Sequence, residues 1–246
     1  MPSAELQEFV KKHINDIEAK DFLKIYVEMV DELPMGQFGE LTELFYDLGI
    51  DPLVYLEYVP KYYLTYSTKI KQLQLPTNIR KVSQEAFLNS GLESITIPSH
   101  VELVCTSAFS GSSNLRKVVF EPGKCDRIGP DVFASCTHLS EVELGDVVKI
   151  GAGSFFGCIS LTYLLIPEGT THIAAYTFQD ASITRLDLPR SIESIGHDAF
   201  RDCQVADIHY AGTVDEWLKI NIDKAGNMKL KESVIQCSDG EVQTNA

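Results

Sequence analysis

The residues with the most chemical capacity are six cysteines, six histidines, a glycine-rich stretch and a pair of carboxylates. A zinc centre needs clustered ligands, but no C-x2-C pair occurs, and His13, His100, His138, His172, His197 and His209 show no ligand spacing. Ile150-Gly-Ala-Gly-Ser154 has the look of a phosphate-cradling loop without the rest of such a motif. Glu141 and Glu143 stand on alternate positions of an extended segment, where a solvated face is the simpler reading than a general acid and base. No nucleophile elbow is present. The expectation is therefore no catalytic residue, no metal, no cofactor and no enzyme.

A repeat absorbs these residues. Phe87, Phe109, Phe133, Phe155, Phe178 and Phe200 follow one another at intervals of 22, 24, 22, 23 and 22. A period of this size marks a solenoid, whose units bury their apolar faces only by stacking. Cys136, Cys158 and Cys203 each lie three residues after the Phe, where other units carry Ser67, Ser90, Ser112 and Ala181. A slot shared by Cys, Ser and Ala is a small-residue packing site, so reduced structural thiols are expected. Ser154 is likewise the small residue before Phe155.

Each unit also has two apolar pairs. The first runs Leu73/Leu75, Ile95/Ile97, Val118/Phe120, Val142/Leu144, Leu164/Ile166, Leu186/Leu188 and Ile208/Tyr210, and its period of two predicts short strands. Pro76, Pro98, Pro167 and Pro189 then end the strand. The second runs Ile79/Val82, Val101/Val104, Cys125/Ile128, Val147/Ile150, Thr170/Ile173 and Ile192/Ile195. An earlier unit has Val59 in the Ile slot and Leu64 in the Phe slot.

The fullest copy, Leu186-Asp-Leu-Pro-Arg-Ser-Ile-Glu-Ser-Ile-Gly-His-Asp-Ala-Phe-Arg-Asp-Cys203, resembles the BspA-like leucine-rich repeats. The resemblance covers about residues 59–210, with Ser83, Cys105 and Ala174 where glycine is usual, and Cys125 and Thr170 in apolar slots. It implies a leucine-rich-repeat solenoid, right-handed, with a parallel β-sheet on the concave face, to which the residue pattern of 1–58 adds a small α-helical N-terminal domain. Residues 211–246 resemble the closing segment of such proteins, with Trp217 plugging the last rung and 241–246 as a frayed tail.

Residues 1–58 read as helices. Ser3 and Asp21 are candidate caps for the first two, the second ending near Leu33-Pro34. A third is expected from about Gln37 to Leu48, closed by Gly49, and a fourth begins at Asp51-Pro52. This segment holds 4 Lys/Arg against 13 Asp/Glu, within a net charge of −14 for the chain. Such a balance disfavours direct contact with nucleic-acid phosphates. The acidic segment is either a cap on the first rung or a separate module, an inhibitor or nucleic-acid mimic that blocks a basic site on another protein. No apolar run predicts a membrane span, and no signal segment is recognisable, so a cytoplasmic address is expected.

Surface remains as the place for function. The outward rows of the strands read Gln74, Thr96, Val119, Glu143, Leu165, Asp187, His209 and Gln72, Ser94, Lys117, Glu141, Tyr163, Arg185, Asp207. Apolar Val119, Tyr163 and Leu165 flanked by Lys117 and Arg185 have the make-up of interface anchors. The expected site is therefore protein-binding, through Lys117, Val119, Glu143, Tyr163, Leu165, Arg185 and Asp187, toward a partner whose identity and the chain's oligomeric state are left open.

Overall fold

In the computed structural model, which describes residue 33 and residues 35–47 and 49–243, the repeat closes into a three-sided coil. One side is a strand of two to four residues, the second a two-residue strand, and the third a turn carrying the Phe. The long-side strands are β2 (Gln72–Leu73), β4 (Ser94–Ile97), β6 (Lys117–Phe120), β8 (Glu141–Glu143), β10 (Tyr163–Leu165), β12 (Arg185–Leu188), β14 (Asp207–Tyr210) and β16 (Val234–Cys237). The short-side strands are β1 (Tyr58–Val59), β3 (Lys81–Val82), β5 (Leu103–Val104), β7 (Arg127–Ile128), β9 (Lys149–Ile150), β11 (His172–Ile173), β13 (Ser194–Ile195) and β15 (Asn221–Ile222). Turn one holds β2 and β3, and the numbering runs on to turn seven with β14 and β15. The second apolar pair thus builds strands of its own, on a side separate from the first.

Neighbouring turns pair in parallel, with the repeat slots in register: Ile95 lies opposite Val118, Val82 opposite Val104, Leu186 opposite Ile208. Both apolar pairs point inward, and one continuous core runs from Phe38 to Val242. The rings of Phe87, Phe109, Phe133, Phe155 and Phe178 stack with centroids 4.9–5.8 Å apart, and Phe200 follows at 5.3 Å. In the first unit Leu64 occupies the Phe slot, but Tyr63 continues the aromatic spine, edge-on to Phe87 at 6.2 Å.

Two left-handed residues flank every Phe slot, at the second position on either side. Tyr62 and Tyr66, Glu85 and Asn89, Asp131 and Ser135, Gly153 and Gly157, and Asp198 and Asp202 all have φ between 52° and 65°. The chain reverses twice around the Phe, so that alternate amides face the next turn: Glu85, Phe87 and Asn89 donate to Thr106 O, Ala108 O and Ser110 O. The glycine that follows the repeat Ile has a different reason to be small. A Cβ on Gly129, Gly151 or Gly196 would run into the backbone of the preceding turn.

Helix α1 (Met35–Asp47) and a 3-10 turn (Pro52–Tyr55) cover the first turn, burying Phe38, Leu41, Phe45, Leu53 and Leu56 in the common core. Gly49 ends α1 at φ +78°, and the Asp51 carboxylate accepts from the Leu53 amide at 2.9 Å. The helices expected around Ser3 and Asp21 lie outside the described residues.

At the other end the ladder continues beyond residue 210: β15 pairs with β13 and β16 with β14, both in parallel. Helix α2 (Val214–Trp217), fixed by a Thr213–Glu216 capping box, drops Trp217 into the core against Tyr210 at 5.4 Å. Helix α3 (Met228–Glu232) leads into β16. Residues 241–243, expected as part of a frayed tail, instead belong to β17 (Gly240–Gln243), which turns back antiparallel on β16 and buries Val242. A hairpin supplies the last backbone partners that a lone edge strand would lack.

Candidate functional site

The outward rows of the long strands fall where the alternation places them, because every core residue of a strand forces its neighbours to the opposite face. The side-chain bonds among the seven site residues fall into two groups. Lys117 lies on β6 opposite Glu141 on β8, and its ammonium reaches Glu141 at 2.9 Å and Glu143 at 3.6 Å. That hydrogen bond and charge pair hold the Lys117 ammonium above its usual range. Val119, opposite Glu143, is half-buried.

A second cluster is centred on β10 and β12. Tyr163 lies opposite Arg185 and Leu165 opposite Asp187. The Tyr163 hydroxyl donates to Asp187 Oδ2 at 2.9 Å, and Arg185 Nε donates to Asp187 Oδ1 at 3.2 Å. The guanidinium sits 5.6 Å from the Tyr163 ring centroid, within cation–π range. Partial burial, then the bond to Asp187, pushes the Tyr163 phenol up, and Asp187 raises the Arg185 guanidinium in turn. These contacts fix the polar atoms while leaving apolar surface outward: Leu165 is 57% exposed and Tyr163 47%.

Beside Leu165 opens a groove of about 590 Å³ that runs across turns five to seven and β16. Apolar Pro167, Leu188 and Pro189 line it with Tyr210, together with polar Asp187, His209 and Gln236. His209 Nε2 stands 2.8 Å from Asp207 on the same strand. The sequence reading stopped at the outward rows and missed this groove. Its signal was Pro167 and Pro189, which follow two successive strands and which the repeat pattern marks as strand ends. At the opposite end of the long-strand side a groove of about 640 Å³ is lined by Gln72, Gln74, Ser94 and Thr96 and is far more polar.

Among the described residues no group of three or more His, Cys, Asp and Glu could hold a metal ion, and no helix is long and apolar enough to cross a membrane. The Gly-rich stretch is a repeat corner, with the Ser154 hydroxyl buried and donating to Gly151 O at 2.6 Å. Glu141 and Glu143 share Lys117 rather than facing each other across a cleft.

A family model described as BspA type Leucine rich repeat region matches in six copies, over residues 57–181 and 128–238. No curated protein is matched. Among solved structures, the chain is similar to a leucine rich cell surface protein from Faecalibacterium prausnitzii A2-165, with 22% identity and a TM-score of 0.38 over 69% of this chain and 61% of that one. It is also similar to a leucine-rich repeat protein from Eubacterium ventriosum, at 23% identity and a TM-score of 0.46, covering 49% of this chain and 32% of that one. A leucine-rich repeat protein from Bacteroides ovatus aligns at 22% identity and a TM-score of 0.43, over 63% of this chain and 49% of that one. The chain thus spans less than two thirds of the length of each of these three.

Proposed function

For this chain, which belongs to the BspA-type leucine-rich repeat family, we propose a non-enzymatic protein-binding role centred on the long-strand side at turns five and six. The observation that carries the reading is the apolar, aromatic surface of Tyr163 and Leu165, rimmed by the Arg185–Asp187 pair and continuous with the groove that Pro167 and Pro189 line. Aromatic and Arg anchors ringed by satisfied polar groups are the usual make-up of an interface centre. Rigid strands hold them, and Tyr163, Arg185 and Asp187 are already bonded to one another, so little side-chain freedom is lost on contact.

The test is affinity capture from the native cell with the full chain, followed by titration of the captured protein. Tyr163→Ala and Leu165→Ser should each weaken binding more than about tenfold, because truncating a central anchor costs at least about 2 kcal/mol. The melting temperature should stay nearly unchanged, since surface substitutions of this kind stay within about 0.5 kcal/mol. Full-strength binding by both variants refutes the assignment of this surface.

A further inference from the structure

From turn one to turn seven, every pair of successive turns except four and five is joined by backbone amides on both strand sides. Entering turn four, Ser140 and Glu141 donate to Arg116 O, Val148 and Lys149 to Asp126 O, and Gly151 to Ile128 O, at 3.0–3.1 Å. Entering turn six, Thr184 and Arg185 donate to Thr162 O, Glu193 and Ser194 to Thr171 O, and Gly196 to Ile173 O, at 2.8–3.2 Å. Entering turn five, the equivalent amides of Thr162, Tyr163, Thr171, His172 and Ala174 make no such bond to turn four. Both sheets stop at this level. The long side divides into β2-β4-β6-β8 and β10-β12-β14-β16-β17, and the short side into β1-β3-β5-β7-β9 and β11-β13-β15. All five residues are exposed or half-buried.

The third side is intact across the same level. Gly153 donates to Ala175 O at 3.0 Å, Phe155 to Thr177 O at 3.0 Å and Gly157 to Gln179 O at 2.9 Å. The Phe155 and Phe178 rings remain stacked, at 5.8 Å the widest spacing in the stacked part of the spine. The seam coincides with the tightest corner between the two strand sides. Only Gly145 and Asp146 separate Leu144 from Val147, with Gly145 left-handed at φ +52°, whereas turn five has Pro167, Glu168 and Gly169 in the same place.

The stability of a solenoid is close to a sum of neighbour interfaces, and local opening starts at the interface with the fewest bonds. We propose that this solenoid is jointed between turns four and five. The turns up to four and those from five onward are two units, and the Phe155–Phe178 corner is the hinge on which both strand sides open. The joint crosses the long-strand face between the Lys117–Glu141–Glu143 cluster and the Tyr163–Arg185–Asp187 cluster. The distance between those clusters is therefore variable rather than set by a ladder.

Hydrogen–deuterium exchange of the full chain, read by mass spectrometry, tests the proposal together with a cross-link. The amides of Thr162, Tyr163, Thr171, His172 and Ala174 should exchange at least about tenfold faster than their equivalents in turns four and six. A Glu141→Cys/Tyr163→Cys disulfide across the seam should slow all five toward the neighbouring rates and leave distant turns unchanged. Lys117→Cys/Glu141→Cys, across a laddered interface, is the control and should alter little. Equal exchange in the three turns overturns the joint. So does fast exchange that the closed disulfide leaves untouched, because that is water exposure without movement. Closure of the control pair alone under the same oxidation also overturns it, since rocking units must bring the seam strands together.

Discussion

Thr170 fills a slot that other turns give to Ile79, Val101, Cys125, Val147 and Ile192, and it is fully buried with no hydrogen-bond partner for its hydroxyl. Removing an unsatisfied buried polar atom while keeping the shape should be stabilising, so Thr170→Val is expected to add about 1 kcal/mol. A higher urea midpoint at unchanged slope is the readout. The cysteine slot teaches the opposite lesson. It is small and buried, but it is also a donor position: Ser112 Oγ donates to Phe87 O, and Cys136 and Cys158 Sγ to Phe109 O and Phe133 O. Burial pushes the Cys125 and Cys203 thiols up to about 11 and Cys158 to about 12, from a usual 9.0. The folded chain therefore holds the protonated thiols. Their contribution is complete below pH 9 and is lost as pH rises through about 11 to 12. The melting temperature should fall over that window, and Cys158→Ser should flatten the fall, since the slot accepts Ser elsewhere. In the native state a thiol reagent at pH 8 should reach only the half-buried Cys105 and Cys237, with all six reacting after denaturation.

Among the elements, α1 is tied to the repeats by more than its apolar face. The Glu43 carboxylate, largely buried, accepts from Ser67 Oγ at 2.6 Å and from the amides of Thr68 and Lys69 at 3.1 and 3.2 Å. It thereby satisfies the loop that the next turn up would otherwise cover. Glu43→Ala leaves three donors without that acceptor and should cost about 1–3 kcal/mol, read as a lower melting temperature. Serine in the Cys slot is thus answered in the first unit by a carboxylate from α1 rather than by a backbone carbonyl. The far end uses the same device: Asn227 Oδ1 accepts from the Phe200 amide at 3.1 Å, standing in for the carbonyl of a further turn. Neither partner was visible in the chain's order, because each belongs to a segment outside the repeat period.

For the whole molecule, one core runs from α1 to β17, so among the described residues neither α1 nor β17 is a separate body. The acidic segment's described part is packed into the first turn, so residues 59–243 alone should expose Val59 and Tyr63 and lose solubility or melt well below the full chain. A fragment that matches the full chain in both respects would show that α1 is dispensable as a cap. The period of the Phe, the paired apolar slots and the shared Cys/Ser/Ala position settled the solenoid from sequence alone, since a stacked fold must repeat its buried residues at the spacing of its turns. The outward rows were equally legible, because alternation along a strand leaves no choice of face. What only the tertiary structure decided was which outward residues meet. Lys117 closes on Glu141, Tyr163 on Asp187, and no ladder joins β8 to β10. The physical reason is that the register of one turn on the next depends on corner lengths and on backbone bonds between turns. A residue missing from a corner leaves the apolar pattern intact while it shifts where the neighbouring strands can pair.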